Sequence, residues 1–556
     1  MIGDTFSVHF VAFRYLLAGL VAGTLWWALR QRSVVPPLLG MVLMGGVLWL
    51  FTWLPLQQPY GLQPGSPAAF ELATVTSGAA SGRVDESWIA GRRSPRPAWS
   101  FLVGTVAGRD VPLVQHLHEL APLILLGLAP LGFFFAMSIA GHDRWEAATA
   151  AFAAVFASSL PLDVFRPFGL VFRTFFIAPY RAAALLVAVL ALAICWRAGR
   201  RGIAIASLLL GLVGWIDLTV LLWALVALVS LEIVEKRLPR SERSFRWIAI
   251  PIATLIALPQ CLAWLRGDLL VRGPSPDEAV AYRLAFRDLF TLSADMEWIF
   301  VLAVLAVPLV WRRGNRLDRG LVSLVVAAYA LWGLLALTFS RGLYFEPDGV
   351  FHLLRISVAI LAGVGGYHAA LWLGARLETD AQDAHRAHRW WSSLPAEPRA
   401  FALVVLFLLP QSAVFLWHPL RVDPLYYPSF QYPADTSIER LQRWLLAQTD
   451  GDEIVLTGND TGEWVAALTG RRVLSGIRVL PREDRRSFSR ELRQLFLSGD
   501  PVAMRRAVIQ LGFSVIVLDP SLREVYWQLD EAHMEASGVV YKVHQIGDRY
   551  SIYRVR

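Results

Sequence analysis

Long apolar runs recur along the first three quarters of the chain, separated by short connections rich in arginine. They cover about 10–29, 35–54, 118–140, 147–162, 182–196, 202–234, 247–265, 298–311, 320–340, 356–375 and 401–417. Most are close to the roughly 20 residues that a helix needs to cross a bilayer. The run at 202–234 is too long for one untilted span and is broken at Gly214–Asp217, so it reads as two short helices with Asp217 at the turn. The basic connections at 30–32, 197–201, 236–246, 312–319 and 376–399 all fall on one side when the spans are counted, as the positive-inside rule requires. The pattern predicts a polytopic α-helical membrane protein of about twelve spans, with both termini extracytoplasmic. Arg83, Arg92, Arg93 and Arg96 run against the rule, but they lie in a long outer stretch at about 55–117, where the rule is weak.

Beyond Pro419 the periodicity changes. Ser437–Gln448 has the pattern of an amphipathic helix and Glu453–Thr457 that of a buried strand. Thr461–Thr469 reads as a helix closed by Gly470, and Arg472–Leu474 as a short strand. Helices are expected near Phe488–Leu497 and at Pro501–Leu511, the second closed by Gly512. A strand follows at Phe513–Leu518, and Val539–His544 with Tyr550–Val555 forms a terminal strand pair. This alternation predicts a small α/β domain at 434–556. The Pro- and Tyr-rich stretch within 418–433 is the linker to a transmembrane domain spanning 1–417.

Composition agrees. Hydrophobic residues make up 56% of the chain and charged residues 17%, with a mean hydropathy of +0.48, against about 25% charged in soluble domains. The net charge of +8 and pI near 9.7 come from arginines between apolar runs, which set topology and touch anionic lipid. No nucleic-acid partner is expected. Cys195 and Cys261 sit inside apolar runs, so neither a disulfide nor a cysteine metal site is expected. The N-terminus lacks a basic n-region, and its first apolar run is long enough to stay as a span rather than be cleaved.

No Gly-rich phosphate loop, HExxH helix, CxxC or GxSxG occurs, so chemistry is sought in the outer loops. Asp85 and Glu86 are adjacent carboxylates: one can take a proton from an acceptor hydroxyl or bind a divalent cation, while the other hydrogen-bonds a sugar. Asp4 and His9, at the mouth of the first span, are an alternative acid/base or metal pair. Arg341, His352 and Arg355 lie in the loop 341–355 between two spans, where cations suit a lipid phosphate; Arg166, Arg173 and Arg181 raise the same possibility. Each group has a plainer explanation too, as a solvated acid pair, a helix cap and headgroup anchors.

Three stretches of the C-terminal part carry a family resemblance. They are Thr457-Gly-Asn-Asp-Thr-Gly-Glu-Trp-Val-Ala-Ala-Leu-Thr-Gly-Arg-Arg-Val-Leu-Ser-Gly476, Leu511-Gly-Phe-Ser-Val-Ile-Val-Leu-Asp519 and Tyr550-Ser-Ile-Tyr-Arg-Val555. They resemble multi-spanning prokaryotic membrane proteins of the GT-C superfamily, glycosyltransferases that use polyprenyl-phosphate sugars. The resemblance implies many spans, a long first outer loop with an acidic residue, and an outer C-terminal domain. Asp85-Glu86, with Pro97 downstream, resembles the Asp-Glu pair of protein-mannosyltransferase-like members, although here it lies well beyond the first spans. Asp4 and His9 resemble the Asp-and-His signature of other members; were they the true pair, an upstream span would be absent from this chain.

The resulting expectation is a transferase of the cell inner membrane. It moves a sugar from a polyprenyl-phosphate carrier to a glycan, lipid or protein acceptor on the extracytoplasmic face. Asp85 is the base with Glu86 assisting, and Arg341, His352 and Arg355 hold the lipid phosphate. The alternatives are a non-catalytic scaffold that binds a partner or glycan and, third, a transporter, which the nearly charge-free spans disfavour.

Overall fold

In the structure, a computed structural model, residues 37–46, 67–156, 178–235, 245–270, 297–338, 347–380, 394–417, 436–474 and 482–556 are described, apart from 84, 109, 198–199, 314–315 and 499. The N-terminal part is helical. In chain order it contains α1 (Pro37–Gly46), α2 (Pro67–Ser81), α3 (Pro97–Ala107), α4 (Val111–Ala140) and α5 (Arg144–Phe156). There follow α6 (Pro179–Arg197), α7 (Arg200–Ile216), α8 (Leu218–Glu235), α9 (Ala249–Ile256) and α10 (Leu258–Leu265). The last helices of this part are α11 (Glu297–Arg313), α12 (Arg316–Thr338), α13 (Pro347–Asp380) and α14 (Ala396–Trp417). The expected break at Asp217 separates α7 from α8.

Two described helices, α6 and α13, are long and apolar enough to cross a membrane unaided. Two bent pairs would each add one broken span: the halves of α4, and Arg246–Ile256 with α10, which meet at 66°. Proline explains both breaks, because it lacks an N–H and clashes with the preceding turn: Pro122 lies inside α4, and Pro259 opens α10. Helices α1, α3, α7, α8, α11 and α12 are shorter apolar segments. The run at 10–29 and the linker at 418–433 lie outside the described residues.

Small residues bring these helices together. Ala147, Ala148, Ala150, Ala151, Ala153 and Ala154 of α5 are buried. A β-carbon on Gly363 of α13 would lie 2.8 Å from both the Ala150 Cα and the Ala153 Cβ. Close backbone approach of this kind drives helix association where lipid removes the hydrophobic drive.

The stretch at 55–117, legible in the sequence only as polar, contains α2 and α3 among its described residues, and α4 begins at Val111 rather than near 118. Asp110 caps α4 by accepting the Leu113 N–H, which moves the start ahead of the apolar run. Helix α2, PAAFELATVTSGAAS, has no long apolar run, yet nearly all of it is buried. Val75 and Ala79 pack with Trp99, Val103 and Val114 of α3 and α4. Ala69, Phe70, Leu72 and Ala73 pack into the C-terminal domain.

That domain contains α15 (Thr436–Gln448), β1 (Ile454–Leu456), α16 (Asn459–Thr469), β2 (Arg472–Leu474), α17 (Arg482–Leu497) and α18 (Pro501–Leu511). It continues with β3 (Val515–Leu518), α19 (Pro520–Val525), α20 (Glu531–Ala536), β4 (Val540–Ile546) and β5 (Tyr550–Val555). One five-stranded sheet runs in the order β2-β1-β3-β5-β4, parallel across β2, β1 and β3 and antiparallel across β3, β5 and β4. Strand alternation sends Leu456, Ile516, Leu518, Val540 and Tyr553 to one face, under α17 and α18. It sends Val455, Val473, Val515, Val517 and Ile552 to the other, under α15, α16 and, from outside the domain, α2, Trp88, Ile89 and Leu270. This second core is therefore shared with the segment 67–94 and Leu270.

Candidate functional site

Asp85 and Glu86 begin a short hairpin formed by residues 85–94. The Ser94 N–H donates to the Asp85 carbonyl and the Ser87 N–H to the Arg92 carbonyl, both at 2.9 Å. The hairpin is held on both sides. Towards the C-terminal domain, Ile89 bridges Val473 of the edge strand β2, with Val473 N–H donating to Trp88 O at 2.7 Å and Ala90 N–H to Val473 O at 3.0 Å. Towards the membrane helices, Arg93 pairs with the segment after α10 through Arg93 N–H to Asp268 O and Leu270 N–H to Arg93 O, each 3.0 Å. Trp88 packs edge-on against Phe70 of α2, with ring centroids 6.0 Å apart. On this frame the two acids differ. Glu86 is paired with Arg472 of β2 and with Arg83 at 3.4 Å. The Asp85 side chain is exposed and makes no hydrogen bond or ion pair among the described residues.

Directly after the hairpin, the chain enters a buried polar network. The Arg96 N–H donates to Ser94 Oγ at 3.2 Å, and the Arg96 guanidinium pairs with Glu71 of α2, both side chains being buried. The Arg96 guanidinium also lies 3.6 Å from the centre of the Tyr180 ring, and the Tyr180 hydroxyl donates to Glu71 Oε1 at 3.3 Å. The guanidinium of Arg181 lies 5.5 Å from the centre of the same ring, and its Nε donates to Asp217 Oδ2 at 2.9 Å. The other Asp217 oxygen accepts from the Thr219 N–H at 2.8 Å, capping α8. His118 is buried, and its Nδ1 finds no hydrogen-bond partner among the described residues. Buried charges on this scale persist only when paired and hydrogen-bonded, and here each guanidinium has its own carboxylate.

The N-terminal turn of α13 meets this network. A β-carbon on Gly349 would lie 2.8 Å from the Arg181 guanidinium carbon, so any larger residue there would displace that guanidinium. His352, one turn further along α13, is buried, and Arg355 is half-buried, its guanidinium 4.0 Å from the centre of the Phe351 ring. The structure thus brings the 85–94 hairpin, Arg96, Arg181 and the start of α13 into one connected region. Asp4, His9, Arg341, Arg166 and Arg173 lie outside the described residues. Among the described residues, no group of three or more His, Cys, Asp or Glu could hold a metal ion.

A second polar cluster occurs where α5 meets α13. Glu146 lies between His142 Nδ1 at 3.3 Å and His368 Nε2 at 2.7 Å, and the Tyr367 hydroxyl donates to Asp143 at 3.3 Å. None of His142, Glu146 and His368 stood out as a site residue in the sequence. Nor did Glu71, Arg96, Tyr180 and Arg472 stand out as partners; the one available signal was the placement of Arg83–Arg96 against the positive-inside rule.

No protein-family model matches the sequence, and no curated protein matches it. Solved structures do. ArnT from Cupriavidus metallidurans in the apo state superposes with a TM-score of 0.52 at 13% identity, covering 92% of this chain and 96% of ArnT. ArnT bound to undecaprenyl phosphate gives 0.49 at 14% identity, covering 92% and 97%. The apo oligosaccharyltransferase of Archaeoglobus fulgidus gives 0.48 at 13% identity, covering 92% and 73%. The chain shares its fold with apo ArnT: a helical part followed by a C-terminal domain. The resemblance read from the sequence holds at the level of the fold.

Proposed function

We propose that this protein transfers a sugar from a polyprenyl-phosphate carrier to an acceptor on the extracytoplasmic face of the cell membrane. One observation carries the reading: the exposed carboxylate of Asp85 sits on a hairpin whose end, at Arg96, runs into the same buried network that receives the start of α13. A carboxylate and cations at the outer ends of membrane helices are what the reaction needs. Asp85 accepts the proton of the acceptor hydroxyl as the acceptor oxygen bonds to the anomeric carbon. The bond from that carbon to the phosphate oxygen breaks, and the phosphate leaves with the electron pair, steadied by Arg341, His352 and Arg355. ArnT, whose fold the chain shares, has been solved with undecaprenyl phosphate bound, which supports a carrier of this class.

In this reading the chain crosses the membrane about twelve times, with residues 434–556 outside. Side-specific labelling of cysteines introduced at Ser392 and Ser437 should then succeed from opposite faces. For the chemistry, the protein in lipid nanodiscs is given undecaprenyl-phosphate hexose with water as the acceptor, whose oxygen bonds to the anomeric carbon and whose proton Asp85 takes, and free hexose and undecaprenyl phosphate are measured. Release is expected, and Asp85→Asn should reduce it with little change in carrier binding. Equal binding by both proteins with release from neither would instead support a scaffold, a reading favoured by one observation: Glu86, Glu71 and Asp217 are all taken up by internal guanidinium pairs.

A further inference from the structure

The outer domain is joined to the first outer loop by more than packing. Its parallel edge strand β2 would present unpaired backbone groups, and the segment Trp88–Ala90 supplies them with partners through Val473. The side chain next to Val473 completes the junction. Arg472 is largely buried; one Nη donates to the carbonyl of Asp452 at 3.0 Å, and the other pairs with Glu86. The guanidinium therefore bridges the domain's own β1 approach and the hairpin of the other domain. The backbone pairing fixes the hairpin at Trp88–Ala90, and the Arg472–Glu86 pair fixes its base, one residue from Asp85.

We propose that Arg472 is a positioning residue of the transfer site: by holding Glu86 it fixes the base of the 85–94 hairpin and, with it, the adjacent Asp85 carboxylate. The outer domain then forms part of the machinery, setting where the base sits without touching substrate. The proposal rests on Asp85 being the base. It also explains why the two neighbouring acids differ, one held by two guanidiniums and the other exposed. A displacement of about 1 Å at a reacting group can cost on the order of 100-fold in rate, so a tether one residue away has leverage.

The test uses the full-length protein in nanodiscs, with undecaprenyl-phosphate hexose as donor, undecaprenyl phosphate for binding, and hydrogen exchange at the Ala90 and Val473 amides. Arg472→Gln is expected to speed exchange at both amides and to lower release roughly 10- to 100-fold, with undecaprenyl phosphate affinity unchanged. Arg472→Lys, which keeps the charge, should recover part of both. The double variant Glu86→Gln with Arg472→Gln should be no slower than the slower single variant, because the two changes remove one interaction. Fast exchange with an unchanged release rate would overturn the proposal, as would additive losses in the double variant or unchanged exchange in Arg472→Gln. A lost affinity for undecaprenyl phosphate would overturn it too, by showing a general collapse. Failure of the underlying reading looks different: Asp85→Asn would release carrier at the wild-type rate while the exchange results stood.

Discussion

Glu71 and Arg96 show how a charge pair can be essential to a structure and barely visible in its sequence. Each side chain is almost fully enclosed, and the pair is joined by the Tyr180 hydroxyl and ring. Removing one partner of such a pair leaves an uncompensated buried charge, which costs about 3–5 kcal/mol. Glu71→Gln should therefore destabilise the protein by that order, read as a lowered melting temperature in nanodiscs, while Glu71→Gln with Arg96→Met should recover part of the loss. Nothing local marks Glu71 in a stretch of Ala, Thr and Ser, and its partner is 25 residues away. The arginines of this stretch were legible only as exceptions to the topology rule. Their partners explain them, because Arg83 meets Glu86, Arg92 donates to Gly267 O at 2.8 Å and Arg96 meets Glu71. In the C-terminal domain, burial pushes the Glu531 carboxyl up. The Tyr553 hydroxyl at 2.6 Å, Arg523 and Lys542 outweigh this and leave its pKa below the ordinary glutamate value. A depressed carboxyl contributes stability that is present above its unfolded value, about 4.3, and is lost as pH falls through the lower folded value. Thermal stability should thus fall on acidification below about pH 4.3, and Glu531→Gln should flatten that fall.

Elements were legible where a period or a cap spoke for itself. The strands at 454–456, 472–474 and 515–518 and the helices ending at Gly470 and Gly512 lie close to where alternation and glycine placed them. Helices α2 and α3 were not legible, because α2 is buried by two different partners and needs small residues rather than an apolar stripe. Gly470 sits at that contact. Its φ is +69°, and a β-carbon there would lie 2.5 Å from the Ala80 Cβ of α2. Gly512 has the same φ of +69° but open space around it. Alanine at either position pays about 1–2 kcal/mol for the left-handed conformation. Gly470→Ala should lower the melting temperature more than Gly512→Ala and should alone speed hydrogen exchange at 88–90, since it pushes α16 and β2 away from α2 and the hairpin. Equal effects of the two substitutions would show that the contact with α2 contributes little.

At the scale of the whole molecule, the change of period after Pro419 marks two kinds of patterning, but it does not separate two cores. Sequence patterning reports which residues of an element are apolar and is silent on which distant element covers them. Here Ala69, Phe70, Leu72 and Ala73 of α2, with Trp88, Ile89 and Leu270, fill the face of the C-terminal domain formed by Ile438, Leu441, Leu445 and Trp464–Leu468. The opposite face is closed by the domain's own α17 and α18. Residues 434–556 alone would therefore keep one core whole and lose from the other the cover supplied by α2, Trp88, Ile89 and Leu270, together with the partner of the β2 edge. Exposed apolar area beside an open strand edge favours association. The excised domain is expected to retain secondary structure but to self-associate, and to melt at a lower temperature than a fusion in which residues 67–94 are attached through a flexible Gly/Ser linker. Sedimentation should show the fusion as a monomer, and its hydrogen exchange at Val473 should be slow. A monomeric excised domain whose melting temperature the fusion does not raise would mean that the outer-loop contacts add nothing to the domain's own stability, and that 434–556 is an independent folding unit.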